Sequence, residues 1–137
     1  MSAQRSFSAA LALLLCGIAA GRAHAQATTT LPDGVTPAMV TQGASIFKGS
    51  GMCFVCHGPE GKGVIGPNLT DSTWIHSKGS YTEIVQQITT GVPAKMSKSG
   101  VVMPPKGGSA ITDAQVKQAA AYVWTLSHPT VKLASRT

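Results

Sequence analysis

Three stretches of this chain repeat apolar residues at helical spacing, and polar, glycine-rich segments separate them. In the first, Met39, Val40, Gly43, Ile46 and Phe47 fall on one stripe. Thr36 ahead of it suits an N-cap and Pro37 the first helical position, so a helix is predicted from Thr36 until Gly49 or Gly51. Gly43 inside a helix costs about 1 kcal/mol against Ala, which a close helix–helix crossing there would explain. In the second stretch Ser80 and Glu83 form a capping box, and Tyr81, Ile84, Val85 and Ile88 make the apolar face. Gly91 and Pro93 stand where that helix should stop. In the third, Thr112 and Gln115 make another capping box and Asp113 favours the positive helix start. Val116, Ala119, Ala120, Val123 and Leu126 follow at helical spacing until His128-Pro129 ends the run. The alanines form a narrow ridge that another helix can approach closely, and Gly43 is its natural counterpart.

The segments between these helices, 58–79 and 92–111, are rich in Gly, Pro, Lys and Ser and carry no strand pattern. Loops of that length in a small domain are expected where they wrap something. Aromatic residues make up only 5% of the 137-residue chain and 15 residues are glycine, so the core is short of large side chains. A large planar cofactor would fill it. The fold class predicted from pattern alone is all-α, with loops organised by a ligand.

The N-terminal part reads as an address. Arg5, the apolar run from Ala9 to Ala20 and the Ala23-His24-Ala25 site are the parts of a secretory signal peptide over residues 1–25, cleaved before Gln26. Residues 26–35 read as a flexible leader, 36–128 as the folded domain and 129–137 as a tail. Cleavage would remove Cys16, leaving Cys53 and Cys56, and would lower the net charge of +6 by two through loss of Arg5 and Arg22. The remaining cations are scattered lysines and Arg136, without the arginine clustering usual in nucleic-acid binders. Such a surface suits docking to acidic protein patches, or plain solubility.

The chemistry concentrates in Cys53-Phe54-Val55-Cys56-His57. A redox dithiol needs this motif at a helix start in a strand-rich fold, yet Gly58-Pro59-Glu60-Gly61 follows at once. A zinc site needs four ligands, and His76 and His128 show no paired spacing to complete one. Haem attachment accounts for every position: two thiols form thioethers with two vinyl groups, and the next residue, His57, lies under the ring to ligate iron. A second axial ligand would come from Met39, Met52, Met96, Met103, His76 or His128. Met103 is favoured because Pro104-Pro105 stiffens its loop, with Met96 as the competitor.

The combined pattern resembles the class I, monohaem cytochrome c family of bacterial electron carriers. It runs from Gly43 and Phe47 through Cys53-x-x-Cys56-His57-Gly58, Gly66-Pro67-Asn68-Leu69 and Met103-Pro104-Pro105 to Tyr122. The resemblance implies three main helices and long loops around one covalent haem c, with the first and last helices crossing. It implies that the Pro67 carbonyl accepts a hydrogen bond from His57 Nδ1, leaving Nε2 for iron. It also implies an aromatic contact to a haem propionate, for which Trp74 is the candidate and Tyr81 the alternative.

The function expected is a small periplasmic electron carrier, a monomer without a stable membrane anchor, serving redox protein partners with acidic docking surfaces and not nucleic acid. Lys48, Lys62, Lys95, Lys98 and Lys106 flank the haem-binding segments and are the steering candidates. The alternatives are a cytochrome subunit of a larger dehydrogenase or oxidase complex, and an open-site haem enzyme or gas-binding protein if Met103 does not ligate.

Overall fold

The computed structural model describes residues 30–131 and residue 133, so the expected signal peptide and most of the tail beyond Val131 lie outside the described residues. Four α-helices follow in order: α1 Pro37–Lys48, α2 Cys53–His57, α3 Tyr81–Thr90 and α4 Asp113–Leu126. Two 3₁₀ turns, Ala94–Met96 and Pro105–Gly108, punctuate the segment between α3 and α4. Among the described residues no strand forms, and one antiparallel bridge pairs Val92 with Met103.

The three long helices start where their side chains satisfy the orphan N–H groups of a first turn. Thr36 accepts from the Met39 N–H, and both capping boxes, Ser80 with Glu83 and Thr112 with Gln115, are closed reciprocally. Glu83 is held below the ordinary carboxylate range, first by the Ser80 hydroxyl and then by backbone N–H donors.

α1 crosses α4 at Gly43. A Cβ there would lie 1.9 Å from the Gln118 carbonyl oxygen and 3.0 Å from Tyr122 Cβ, so a side chain at this position would part the helices. One turn on, Phe47 is fully buried and meets Tyr122 edge-on at 5.3 Å, the favoured arrangement for aromatic rings. Gln118 and Gln42 bridge the crossing on its wet side. The main core joins α1, α3 and α4 through Ile46, Phe47, Ile84, Ile88, Val116 and Val123. A smaller cluster packs Val35 and Val40 on Ala121, with Leu31 against both clusters, so part of the expected leader lies on the folded body.

Trp124, absent from the expected stripe of α4, is buried, whereas Leu126 is only half-buried. His128 stacks on Trp124 at 3.8 Å and donates from Nδ1 to its carbonyl at 2.8 Å, closing the helix end.

Candidate functional site

The Cys-x-x-Cys-His motif forms its own short helix, α2, which was not among the three helices expected from sequence, and Gly58 ends it as the Gly58-Pro59-Glu60-Gly61 run suggests. Met52 enters it in the left-handed conformation, with φ 54°, and Gly58 leaves it. The loop that follows satisfies the carbonyl end of α2. The Cys56 carbonyl receives the N–H groups of Val64, Ile65 and Gly66 at 3.1, 3.1 and 2.9 Å, and the His57 carbonyl receives that of Gly63 at 2.7 Å. Asn68 and Asp71 extend the wrap: the Asn68 amide donates to Asp71 and accepts from the Thr70 N–H.

This wrap holds the imidazole of His57, which is 8% exposed. Nδ1 lies 2.9 Å from the Pro67 carbonyl, an acceptor, so Nδ1 carries the proton and Nε2 keeps the free lone pair. Gly66 lies flat against the ring; a Cβ there would stand 2.9 Å from Cε1 and 3.0 Å from Nδ1. Burial pushes the His57 pKa below its ordinary value, against a smaller opposing effect of the Pro67 hydrogen bond. The ring is therefore neutral at neutral pH, the form that ligates metal.

Cys53 and Cys56 are both free thiols. Burial, with repulsion from Cys56 adding a little, pushes the Cys53 thiol up to about 11, against its own backbone hydrogen bond. Exchange-active dithiols have depressed values, so this environment suits an anchored sulfur rather than a redox nucleophile.

Met103 is placed by its backbone. Its N–H donates to the Val92 carbonyl at 2.9 Å and its carbonyl accepts from the Val92 N–H at 2.8 Å. Gly91, at φ 71°, ends α3 and backs onto this pair. A Cβ on Gly91 would lie 2.2 Å from the Met103 carbonyl oxygen, so only glycine allows the approach.

Cys53, Cys56, His57 and Met103 line one cleft of about 870 Å³, including its solvent-open mouth. A smaller inner hollow behind it shares Cys53, His57 and Met103 and reaches Phe47, Ile84 and Trp74. Met52, Val55, Ile65, Val101 and Val102 are all exposed, and all five line the cleft. Apolar side chains gathered on one open slot call for an apolar occupant. A haem fits: two thiols, a neutral imidazole and a thioether line one apolar slot.

The other candidates sit elsewhere. Met96 is 60% exposed and lines a separate surface hollow. Met39 packs against the Val35–Val40 cluster. His76 is exposed at the rim of the cleft, and His128 closes α4. Trp74 lines the inner hollow, its ring against Gly79, whereas Tyr81 spends its hydroxyl on the Lys117 carbonyl at 3.2 Å. Among the steering lysines, Lys106 is paired with Asp113 at 2.8 Å and has a left-handed backbone, φ 54°. Sequence reading missed Gln87, which lines both hollows; the available signal was a polar residue on the apolar stripe of α3.

The family described as cytochrome c oxidase, cbb3-type, subunit III matches residues 38–123. The subunit FixP of a cbb3-type cytochrome c oxidase from Sinorhizobium medicae (strain WSM419) is 41% identical over 91 residues, 64% of this chain and 30% of that protein. The subunit CcoP from Rubrivivax gelatinosus is 38% identical over 76 residues, 55% of this chain and 22% of that protein. CcoP from Cereibacter sphaeroides is 32% identical over 89 residues, 63% of this chain and 27% of that protein. The chain thus spans less than a third of the length of the curated relatives it matches.

Proposed function

Because the chain belongs to the family of cytochrome c oxidase, cbb3-type, subunit III, an all-α cytochrome c fold that carries covalent haem c, we propose that it passes single electrons as the cytochrome part of a respiratory oxidase assembly. The observation that carries this reading is the meeting of Cys53, Cys56, His57 and Met103 at one apolar cleft.

When bound, the haem supplies a one-electron ferric–ferrous couple. The residues supply its setting. Cys53 and Cys56 would hold it through thioethers. Pro67 keeps the proton on His57 Nδ1, so Nε2 is presented as proximal ligand in one tautomer. Met103 would offer its thioether as the second ligand from the same cleft, on a backbone clamped by Val92. With His57 and Met103 both as ligands, a haem here would have no open site for peroxide or a gas, which supports a carrier rather than a catalytic unit. The apolar walls exclude water and disfavour the more charged ferric form, which raises the reduction potential. Trp74, which lines the inner hollow, would be the donor to a haem propionate.

The free soluble carrier expected first from sequence is the weaker reading, because the named relatives are oxidase subunits. The haem-bearing domain is residues 36–128, facing the periplasm after removal of residues 1–25. Lys48, Lys62, Lys95 and Lys98 steer an acidic redox partner, while Lys106 is held by Asp113.

Native electrophoresis of detergent-solubilised membranes, stained for haem and for oxidase activity, tests the assembly. The chain is expected to migrate with the oxidase band. Recovery solely as a free monomer, with no loss of oxidase on its deletion, would overturn the reading.

A further inference from the structure

The Pro67 carbonyl that takes the His57 proton is itself held from behind. Just past it, the Leu69 N–H donates to the Gly61 carbonyl at 2.7 Å. A Cβ on Gly63, at φ 87°, would lie 3.0 Å from the Asn68 nitrogen and 3.1 Å from the Pro67 carbonyl carbon, so two stretches of backbone touch there. The side chain of Asn68 then ties the Pro67–Asn68 peptide to the next segment.

Asn68 is exposed, yet both ends of its amide are used. Its Oδ1 accepts from the Thr70 N–H at 2.9 Å and from the Thr70 hydroxyl at 2.8 Å. A backbone N–H can only donate, so Oδ1 faces Thr70 and Nδ2 faces Asp71. Nδ2 donates to Asp71 Oδ2 at 2.9 Å, while Asp71 Oδ1 accepts from the Thr73 N–H at 2.8 Å. One carboxylate thus gives one oxygen to the loop that carries Pro67 and the other to the turn that leads to Trp74. Among the described residues no cation pairs with it; the ion pair there joins Lys106 to Asp113. A carbonyl that accepts from an iron-ligating imidazole makes that imidazole a stronger donor, and its pull depends on the angle at which it meets the N–H.

We propose that Asp71 is a positioning residue: through the Asn68 amide it fixes the Pro67–Asn68 peptide, and with it the angle at which Pro67 holds His57. This rests on His57 as the proximal ligand. With the Asp71–Asn68 contact gone, the carbonyl swings away from Nδ1–H, the imidazole gives less to ferric iron and the ferrous form gains.

The test exchanges the two residues in the haem-loaded protein, at high ionic strength, where exposed charges are screened. Asp71→Asn has one acceptor oxygen and cannot serve both Asn68 and Thr73. Asn68→Asp sets one carboxylate against another. The double variant again faces donor with acceptor and keeps the net charge of the unaltered protein. The readouts are the reduction potential and the solvent-exchange rate of the His57 Nδ1 proton by NMR. Each single variant is expected to raise the potential, lowering the ferric-to-ferrous ratio at a fixed applied potential roughly twofold, the low end of one hydrogen bond's worth, and to speed the exchange. The double variant is expected to return both most of the way. Opposite shifts of potential in the two single variants would reduce the effect to charge and overturn the proposal. A lowered unfolding midpoint with potential and Nδ1 proton unmoved also overturns it, since a turn that merely supports the fold gives that result. So does a double variant no better than the single ones. If the His57 ring protons of the unaltered ferric protein lack the large paramagnetic shift of an iron ligand, the ligand assignment fails and this inference with it. With that shift present and the single variants unmoved, the role of Asp71 alone is wrong.

Discussion

The two walls of the cleft are built to different standards. On the His57 side, α2 and the loop after it are tied by a ring of backbone hydrogen bonds, and the imidazole is buried, hydrogen-bonded through Nδ1 and backed by Gly66. On the Met103 side, the backbone is clamped by one pair with Val92, but Met96, Val101 and Val102 near it are exposed. One wall has its ligand determined several times over. The other has a ligand held by its main chain, with the side chain left to packing. Changes on the first wall should therefore destroy the site, and changes on the second should tune it.

The sharpest way to break that contrast is to remove each ligand. His57→Ala is expected to abolish the six-coordinate spectrum and leave little folded, haem-stained protein. Met103→Ala should keep covalent haem, lose the methionine charge-transfer band and cost about 2–5 kcal/mol, the usual range for truncating a packed methionine. Met96→Ala should stay within about 0.5 kcal/mol with an unchanged spectrum, as an exposed residue does. Equal damage from His57→Ala and Met103→Ala, measured by haem staining and chemical unfolding, would erase the contrast.

The glycines behind each ligand give a finer probe. Gly91→Ala combines a backbone overlap with a positive φ and is expected to cost about 3 kcal/mol, with the Met103 band weakened. Gly66→Ala meets the face of an imidazole rather than backbone and should cost about 1–3 kcal/mol, with the disturbance confined to the His57 side. Unfolding midpoints with the visible spectrum separate the two; a weakened methionine band in Gly66→Ala would count against independent walls.

The smallest effect lies in pH. Burial lowers the folded pKa of His57 below its unfolded value, so the unfolded chain binds the proton more readily. Stability from this residue is complete above the ordinary imidazole value of about 6.5 and is lost as pH falls through the lower folded one. The haem-loaded protein should keep its spectrum as pH falls through 6.5 and lose it further down. Collapse centred on the ordinary imidazole value would show the His57 wall to be open to water.

Much of the fold was legible because it is local. Thr36, the two capping boxes and Gly91 mark helix ends within a few residues of themselves, and all of them act as caps in the structure. The α1–α4 crossing was legible because a glycine inside a helix and an alanine ridge need each other. α2 was not, since five residues are too few to show a period and its start depends on a left-handed Met52. The Val92–Met103 pair was not, because one bridge between two loops leaves no pattern. Trp124 could have been found, four residues beyond Ala120 on the same side of α4, and Gln87 could have been found as the polar interruption of a stripe. The gathering of Cys53, Cys56 and His57 follows from the motif itself, whereas Met103 rather than Met96 at the cleft depends on the clamp to α3.

The three N–H groups converging on the Cys56 carbonyl have a consequence for motion. Val64 and Ile65 are 74% and 48% exposed and belong to no regular element. By ordinary expectation their amides would trade hydrogen with solvent within moments. Tied to one carbonyl inside the wrap, they can exchange only when the ring around His57 opens, so an irregular surface loop should show the slow clock of a helix interior. The stiffest part of the cleft is then also among its least regular.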